Sequence, residues 1–280
     1  MFGLERISAR PTVDRPIGRP AGIDFAPSPR RRDLAGSGRL RPNFLFENVT
    51  FVGRERGRRR TFFDGVVGAL PRGRNAGVLC ADPAAAEALV RMLTGMERPT
   101  SGKLARNVRM SWPMRFAGYL MTEATLRENS LFIARLYGED TRAVAAFIRD
   151  VIGIGPEFEK PLSKVSADLK RKLAMTMALA VEFECYILDG SMTVRDDAFI
   201  ERWTAALHER LRTADIVQIS NKKRGLLDGH EMGATVEDGR LRIFDTVEAA
   251  IDAFHELDGR AMDLDVDMAA LDEHNGEDVI

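Results

Sequence analysis

Gly77-Val78-Leu79-Cys80 is a short apolar strand that runs through Ala81-Asp82-Pro83 into an apolar-periodic helix ending at Gly95. Strand, turn and helix together form the unit from which parallel sheets are built, since a parallel pair cannot close through a hairpin and needs a crossover. The pattern repeats. Cys185-Tyr186-Ile187-Leu188-Asp189 is a buried strand ending in a carboxylate, followed by a helix from Phe199 to Leu211. Asp215 to Ser220 is a second such strand, and Val247 to Leu257 is a closing helix. Strands alternating with helices predict an α/β fold with a parallel core.

Other segments are additions to that core. Phe44 to Val52 and Thr61 to Leu70 read as a hairpin joined by a basic turn, Arg54 to Arg60. Pro and Gly within Met96 to Leu104 mark a turn between two ordered elements. An all-helical insert covers about 123–182. In it Thr125 and Glu128 form a capping box for a helix that runs to Tyr137 and stops at Gly138. Thr141 to Ile152 has Val144, Ala145, Ile148 and Val151 on one face, and Lys164 to Val181 is a longer helix. Glu237-Asp238-Gly239-Arg240 is a hairpin turn. Residues 1–42, rich in Arg and Pro, read as a disordered arm; 43–257 is the folded domain; 258–280 is an acidic tail.

Composition removes several function classes. Net charge is −1, and the arginines of the hairpin turn have no interleaved aromatics, so nothing points to nucleic acid. Cys80 and Cys185 lie far apart in apolar runs and read as buried hydrophobes in a reducing compartment. No apolar run is long enough for a membrane span, and the N-terminus lacks the hydrophobic segment of a secretory signal.

The Gly77–Leu89 stretch has the frame of a phosphate-binding loop, G-x-x-x-x-G-K-[ST], whose amides, lysine and hydroxyl hold phosphates and Mg²⁺. Its residues differ. The glycine positions hold Cys80 and Ala85, the lysine position Ala86 and the hydroxyl position Glu87, with Ala88 next. Pro83 has no N–H to offer. Glu87 is expected to satisfy the helix N-terminus in place of a phosphate.

The order of pieces from about 44 to 256 resembles an ABC ATPase domain: a P-loop NTPase-like α/β core with an antiparallel β-subdomain and a helical subdomain. It is most similar to ATPase subunits of bacterial capsular-polysaccharide and O-antigen exporters. Ser111-Trp112-Pro113, the Arg127-Glu128-Asn129 helix, Ala180 to Asp189 before the Walker B position, and Glu237 to Leu241 with Phe244-Asp245 carry the resemblance.

That resemblance implies a set of site positions. The loop residues Cys80, Pro83, Ala85, Ala86, Glu87 and Ala88 fall at Walker A; the adenine-stacking aromatic falls near Gly53. Met121 falls at the glutamine of the glutamine loop, and Ser166 and Asp168 at the signature, where only the serine matches. Asp189 keeps the Walker B carboxylate and is the one candidate metal ligand; Gly190 falls at the general base, Asn221 at the switch histidine and Asp196 at the D-loop carboxylate. Phosphoryl transfer rests on positioning and charge neutralisation, so the joint loss of lysine, hydroxyl, glutamine and base implies a protein unable to hydrolyse ATP. ATP and Mg²⁺ are implied by the resemblance alone.

The expected role is a structural or regulatory partner of a membrane permease in a polysaccharide exporter, peripheral at the inner face of the cell membrane. It would act with a second ABC ATPase subunit or with itself as a dimer. Composite sites in such dimers pair Walker motifs of one chain with the signature of the other, and this chain departs from the pattern in both halves. A divergent but working ATPase, and a binding module without a transporter, are the alternatives.

Overall fold

The computed structural model describes residues 41–115, 117–190 and 194–254. The arm expected at 1–42, apart from its last two residues, and the acidic tail at 258–280 lie outside them.

The described residues form nine strands and six α-helices: β1 (Phe44–Glu55), β2 (Arg58–Leu70), β3 (Ala76–Cys80), α1 (Pro83–Thr94), β4 (Ser101–Arg106), β5 (Met110–Pro113), α2 (Leu126–Tyr137), α3 (Thr141–Ile152), α4 (Ala167–Leu179), β6 (Cys185–Asp189), α5 (Asp197–Leu211), β7 (Asp215–Ser220), β8 (Met232–Glu237), β9 (Arg240–Phe244) and α6 (Val247–Ala253). Three strands in the order β2-β1-β4 make an antiparallel sheet. Six in the order β5-β6-β7-β3-β8-β9 make the main sheet, parallel except for β9. The alternation predicted this architecture because strands buried on both faces read as unbroken apolar runs, and β3 is buried at all five positions.

The fold departs from the sequence reading at polar strand ends. The basic turn expected at 54–60 shrinks to Arg56-Gly57, both with positive φ, and β1 and β2 stay paired out to Glu55 and Arg58. Solvent-facing arginines hid those strand residues. The turn expected within 96–104 gives way from Ser101 to β4, whose first three residues are exposed. Gly102 is required there: φ is +76°, and a Cβ would lie 2.0 Å from the Asn48 carbonyl oxygen. α4 starts at Ala167 instead of Lys164 because Leu162–Lys164 is a separate 3₁₀ turn and Ser166 is the cap. α6 stops at Ala253, short of Leu257, because Phe254 is extended.

Two main apolar clusters divide the interior. One lies between the antiparallel sheet, α1 and one face of the main sheet. The other joins the opposite face to α2–α5 around Trp203, whose indole N–H donates to the Met175 carbonyl at 3.2 Å. The carboxyl ends of β6, β7 and β3 are adjacent, with Asp189 level with Ile219 and Leu79 level with Ser220. Ligand crevices of open α/β sheets form at such an edge.

Candidate functional site

The turn after β3 has two residues, Ala81 and Asp82. Pro83 is the first residue of α1, where its missing N–H costs the helix nothing. The Asp82 carboxylate caps the helix by accepting from the Ala84 N–H at 2.9 Å, and its carbonyl accepts from Ala86 N–H at 2.9 Å. Glu87 does not have the expected role. It sits beyond the first turn, 65% exposed, and lies 3.7 Å from Arg91 in an i,i+4 pair. Asp82 is one residue ahead of the helix and reaches the N-terminal amides first. Ala85, Ala86 and Ala88 are buried, Ala86 completely, so these positions pack α1 against the sheet. Cys80 is also buried; desolvation pushes its thiol up to about 12, which makes it inert as a nucleophile.

Arg60 closes the turn from the other sheet. Its guanidinium bonds to Asp82 Oδ2, and to Glu55 Oε2 at 2.7 Å, and lies 5.0 Å from the Phe62 ring centroid. The space beside Gly53, where the adenine-stacking aromatic was expected, is occupied by Phe62: a Cβ on Gly53 would come within 2.9 Å of that ring.

Asp189 ends β6. Its Oδ1 accepts from the Arg115 backbone N–H at 3.0 Å, and Arg115 Nη1 donates to its carbonyl at 3.2 Å. The residue is only part-exposed, and loss of water pushes its carboxyl up to about 6 despite the nearby Arg115 charge. Gly190 has φ +83°, donates its N–H to the Ile219 carbonyl at 2.6 Å and accepts from Gln218 at 3.0 Å.

Gln218, in the middle of β7, went unremarked in the sequence and is the polar hub of this edge. It is completely buried. Its Nε2 donates to the Gly190 and Gly225 carbonyls at 3.0 and 2.8 Å. Its Oε1 accepts from the Leu227 N–H and from His230 Nε2, both at 2.8 Å. The amide is fully used, which fixes His230 as the Nε2–H tautomer. Desolvation lowers the His230 imidazole to about 4. A single glutamine amid the apolar interior of the strand, Ile-Val-Gln-Ile, was the available signal. Asn221 lies just past the strand, where the Ser220 hydroxyl donates to the Lys222 carbonyl at 2.9 Å and accepts its N–H at 3.2 Å.

Met121, Ser166 and Asp168 belong to the helical part. Met121 is 43% exposed, and the buried Asn129 side chain holds its backbone, accepting its N–H at 2.8 Å and donating to its carbonyl at 3.0 Å. The Asn129 amide also reaches the Thr125 carbonyl at 3.0 Å, and the predicted capping box of Thr125 and Glu128 is present. Ser166 caps α4, accepting from Leu169 N–H at 3.2 Å. Asp168 pairs with Lys172 at 2.9 Å, and Lys172 bonds to Asp196 at 2.6 Å. The Lys172 bond holds the Asp196 carboxyl below the usual carboxylate range. One ammonium thus joins the signature-position acid to the D-loop-position acid. Among the described residues, no three His, Cys, Asp or Glu side chains gather closely enough to hold a metal.

A mainly parallel sheet whose β3, β6 and β7 carboxyl ends are adjacent, with an antiparallel sheet on one side and a helical insert on the other, defines an ABC ATPase cassette fold. Solved cassettes agree in fold. The dimeric MJ0796 cassette bound to ADP and Pi matches with TM-score 0.59 at 14% identity, over 73% of this chain and 98% of that one. An ABC-transporter ATP-binding subunit matches with TM-score 0.59 at 16% identity, over 74% and 90%. No family model matches the chain. Curated proteins do: ATP-binding protein BexA of Haemophilus influenzae is 30% identical over 187 residues, 67% of this chain and 86% of BexA. Capsule polysaccharide export ATP-binding protein CtrD of Neisseria meningitidis is 28% identical over 71% of this chain and 92% of CtrD. Polysialic acid transport ATP-binding protein KpsT of Escherichia coli is 27% identical over 66% and 84%. The chain belongs to the family of ABC-transporter ATP-binding proteins that these three represent.

Proposed function

We propose that this chain is a non-hydrolysing member of a polysaccharide-export ABC transporter, docked on the membrane permease as a structural or regulatory subunit. The closed turn at Asp82 carries the proposal. A phosphate at a helix N-terminus needs free amides and a cation. Here the amide of Ala84 is taken by a carboxylate, Pro83 has none, and the nearby cation, Arg60, is already bonded to Asp82 and Glu55. Ala86 brings no charge to the turn. These residues do not fit a Mg²⁺–nucleotide phosphate group, and no catalytic step is derived through one. Substrate class and permease partner come from the names of the relatives. A position at the inner membrane face follows from the same reading, and no described helix is long and apolar enough to cross a membrane.

Calorimetry with ATP and Mg²⁺ at millimolar concentration tests the proposal. No binding heat and no phosphate release are expected, together with co-purification of a permease from native membranes. Hydrolysis that disappears in Asp189→Ala would overturn it. A working ATPase is the second reading, favoured by Asp189 at the end of β6 and by the family itself. It requires ATP-dependent dimerisation.

A further inference from the structure

α2 and α3 face each other across a cleft of about 400 Å³ on the helical part, away from the β3 turn. Four arginines line it, Arg127 and Arg135 from α2 and Arg142 and Arg149 from α3, against one carboxylate, Glu159. The neutralisation is weak. Arg127 is 3.9 Å from Glu159, and Arg149 lies 5.8 Å from the Phe158 ring centroid. The guanidinium groups of Arg135 and Arg142 have no hydrogen-bond or ion-pair partner among the described residues. Like charges gathered in a concave site focus a positive potential and destabilise one another until an anion arrives. Arginine forks bind carboxylates in pairs of hydrogen bonds.

We propose that this cleft binds the chain's own acidic segment, centred on Asp263-Leu264-Asp265-Val266-Asp267-Met268. The argument is complementarity of charge, spacing and reach, and it does not depend on whether the chain hydrolyses ATP. Residues 258–280 carry eight carboxylates and one arginine. In an extended conformation Asp263, Asp265 and Asp267 fall on one face and Leu264, Val266 and Met268 on the other. Asp263 to Asp267 then spans about 13 Å at roughly 3.3 Å per residue. Arg127 to Arg135 spans about 12 Å along α2, and Arg142 to Arg149 about 10 Å along α3, at roughly 1.5 Å per residue. The apolar alternate positions can meet Phe158 and the exposed Phe132 and Leu136 of α2.

Phe254 is anchored beside Leu79 and Leu226, and eight residues separate it from Asp263. Up to about 30 Å of extended chain is available before the first of these acids and more before the later ones, a length on the scale of the domain itself, whose radius of gyration is about 17 Å. Tethering adds an effective concentration of about a millimolar, so weak exposed ion pairs are enough for binding.

Hydrogen exchange on the full chain tests this, followed by mass spectrometry at about 50 and about 500 mM NaCl, either side of strong screening. Amides of 262–269 are expected to exchange about tenfold more slowly at low salt, a local stabilisation of about 1.4 kcal/mol. Protection should vanish in Arg135→Glu/Arg142→Glu. It should also vanish in Asp263→Lys/Asp265→Lys/Asp267→Lys, which leaves every described residue intact, and return when the two sets are combined. Equal exchange in wild type and both variants overturns the proposal. So does protection that grows with protein concentration, which assigns the segment to a second copy. Arginine-dependent flotation on anionic phosphatidylglycerol vesicles with no protection of 262–269 overturns it in favour of a lipid surface.

Discussion

Arg60 on β2 bonds to the same Asp82 carboxylate that caps α1, so one aspartate joins the antiparallel sheet to the first helix of the main sheet. Its two oxygens have separate tasks, Oδ1 for the Ala84 amide and Oδ2 for the guanidinium. Asp82→Ala is expected to lower unfolding free energy by about 1–2 kcal/mol, the range for lost helix caps. Asp82→Asn keeps the cap acceptor and should cost under about 1 kcal/mol, because the lost partner Arg60 is 41% exposed and its pair is largely screened. Urea denaturation of both variants separates the two. Equal losses would mean that the ion pair, not the cap, holds the turn.

Asn129 holds the backbone from Met121 to Thr125 through bonds to both Met121 groups and to the Thr125 carbonyl. Asn129→Ala leaves the Met121 N–H and carbonyl without their side-chain partner, at a cost of about 1–3 kcal/mol, while the Thr125 carbonyl keeps the backbone N–H of residue 129. Exchange of the Met121 amide should accelerate well beyond that of α4 amides. A uniform acceleration across the protein would show global loosening and contradict a local clasp.

The contrast between Asp82 and Asn129 shows what the sequence could tell. Thr125, Glu128 and Gly138 announced α2 because caps act over three or four residues. The strands β3, β6 and β7 were readable because burial on both faces leaves an apolar run. The site itself was less legible. Arg60 is 22 residues from Asp82, and Gln218 is 28 from Gly190; no local pattern links such pairs. Only the glutamine amid the apolar interior of β7 was a visible signal. Glu87 was assigned Asp82's role because the motif frame placed the helix start too late by several residues. Arg115 bonds to Asp189 through its backbone amide as well as its side chain, and a backbone donor has no residue-type signature.

Gly190 stands where the resemblance places a general base. Its φ of +83° is a left-handed conformation, in which a side chain costs about 1–2 kcal/mol, and its surroundings are buried. Gly190→Glu is therefore expected to destabilise the fold without creating ATP hydrolysis, since the β3 turn is unchanged. Thermal melting and phosphate-release assays on the purified variant check both halves. Measurable turnover would show that the missing base alone silences the site.

Asp189 at the carboxyl end of β6 and His230 just ahead of β8 give opposite pH dependences of stability. The His230 imidazole falls from 6.5 to about 4 in the fold, so the unfolded chain binds the extra proton between these values. Its contribution is complete above pH 6.5 and is lost as pH falls toward about 4. The Asp189 carboxyl rises from 3.8 to about 6, so the folded chain keeps the proton longer. Its contribution is complete below pH 3.8 and is lost as pH rises through about 6. Each full window corresponds to at most about 3 kcal/mol at 1.36 kcal/mol per unit, less for Asp189 because it keeps some exposure. Where the windows overlap, between about pH 4 and 6, the slopes oppose each other. Asp189→Asn preserves the acceptor for the Arg115 amide and removes one slope, so the variant should lose more stability than wild type on going from pH 6 to 4. His230→Gln removes the other, so its stability should decline instead as pH rises from 4 to 6. Urea midpoints at half-unit intervals across this range measure both. Variants that track the wild-type curve in parallel would show that neither group titrates differently in the folded and unfolded chain.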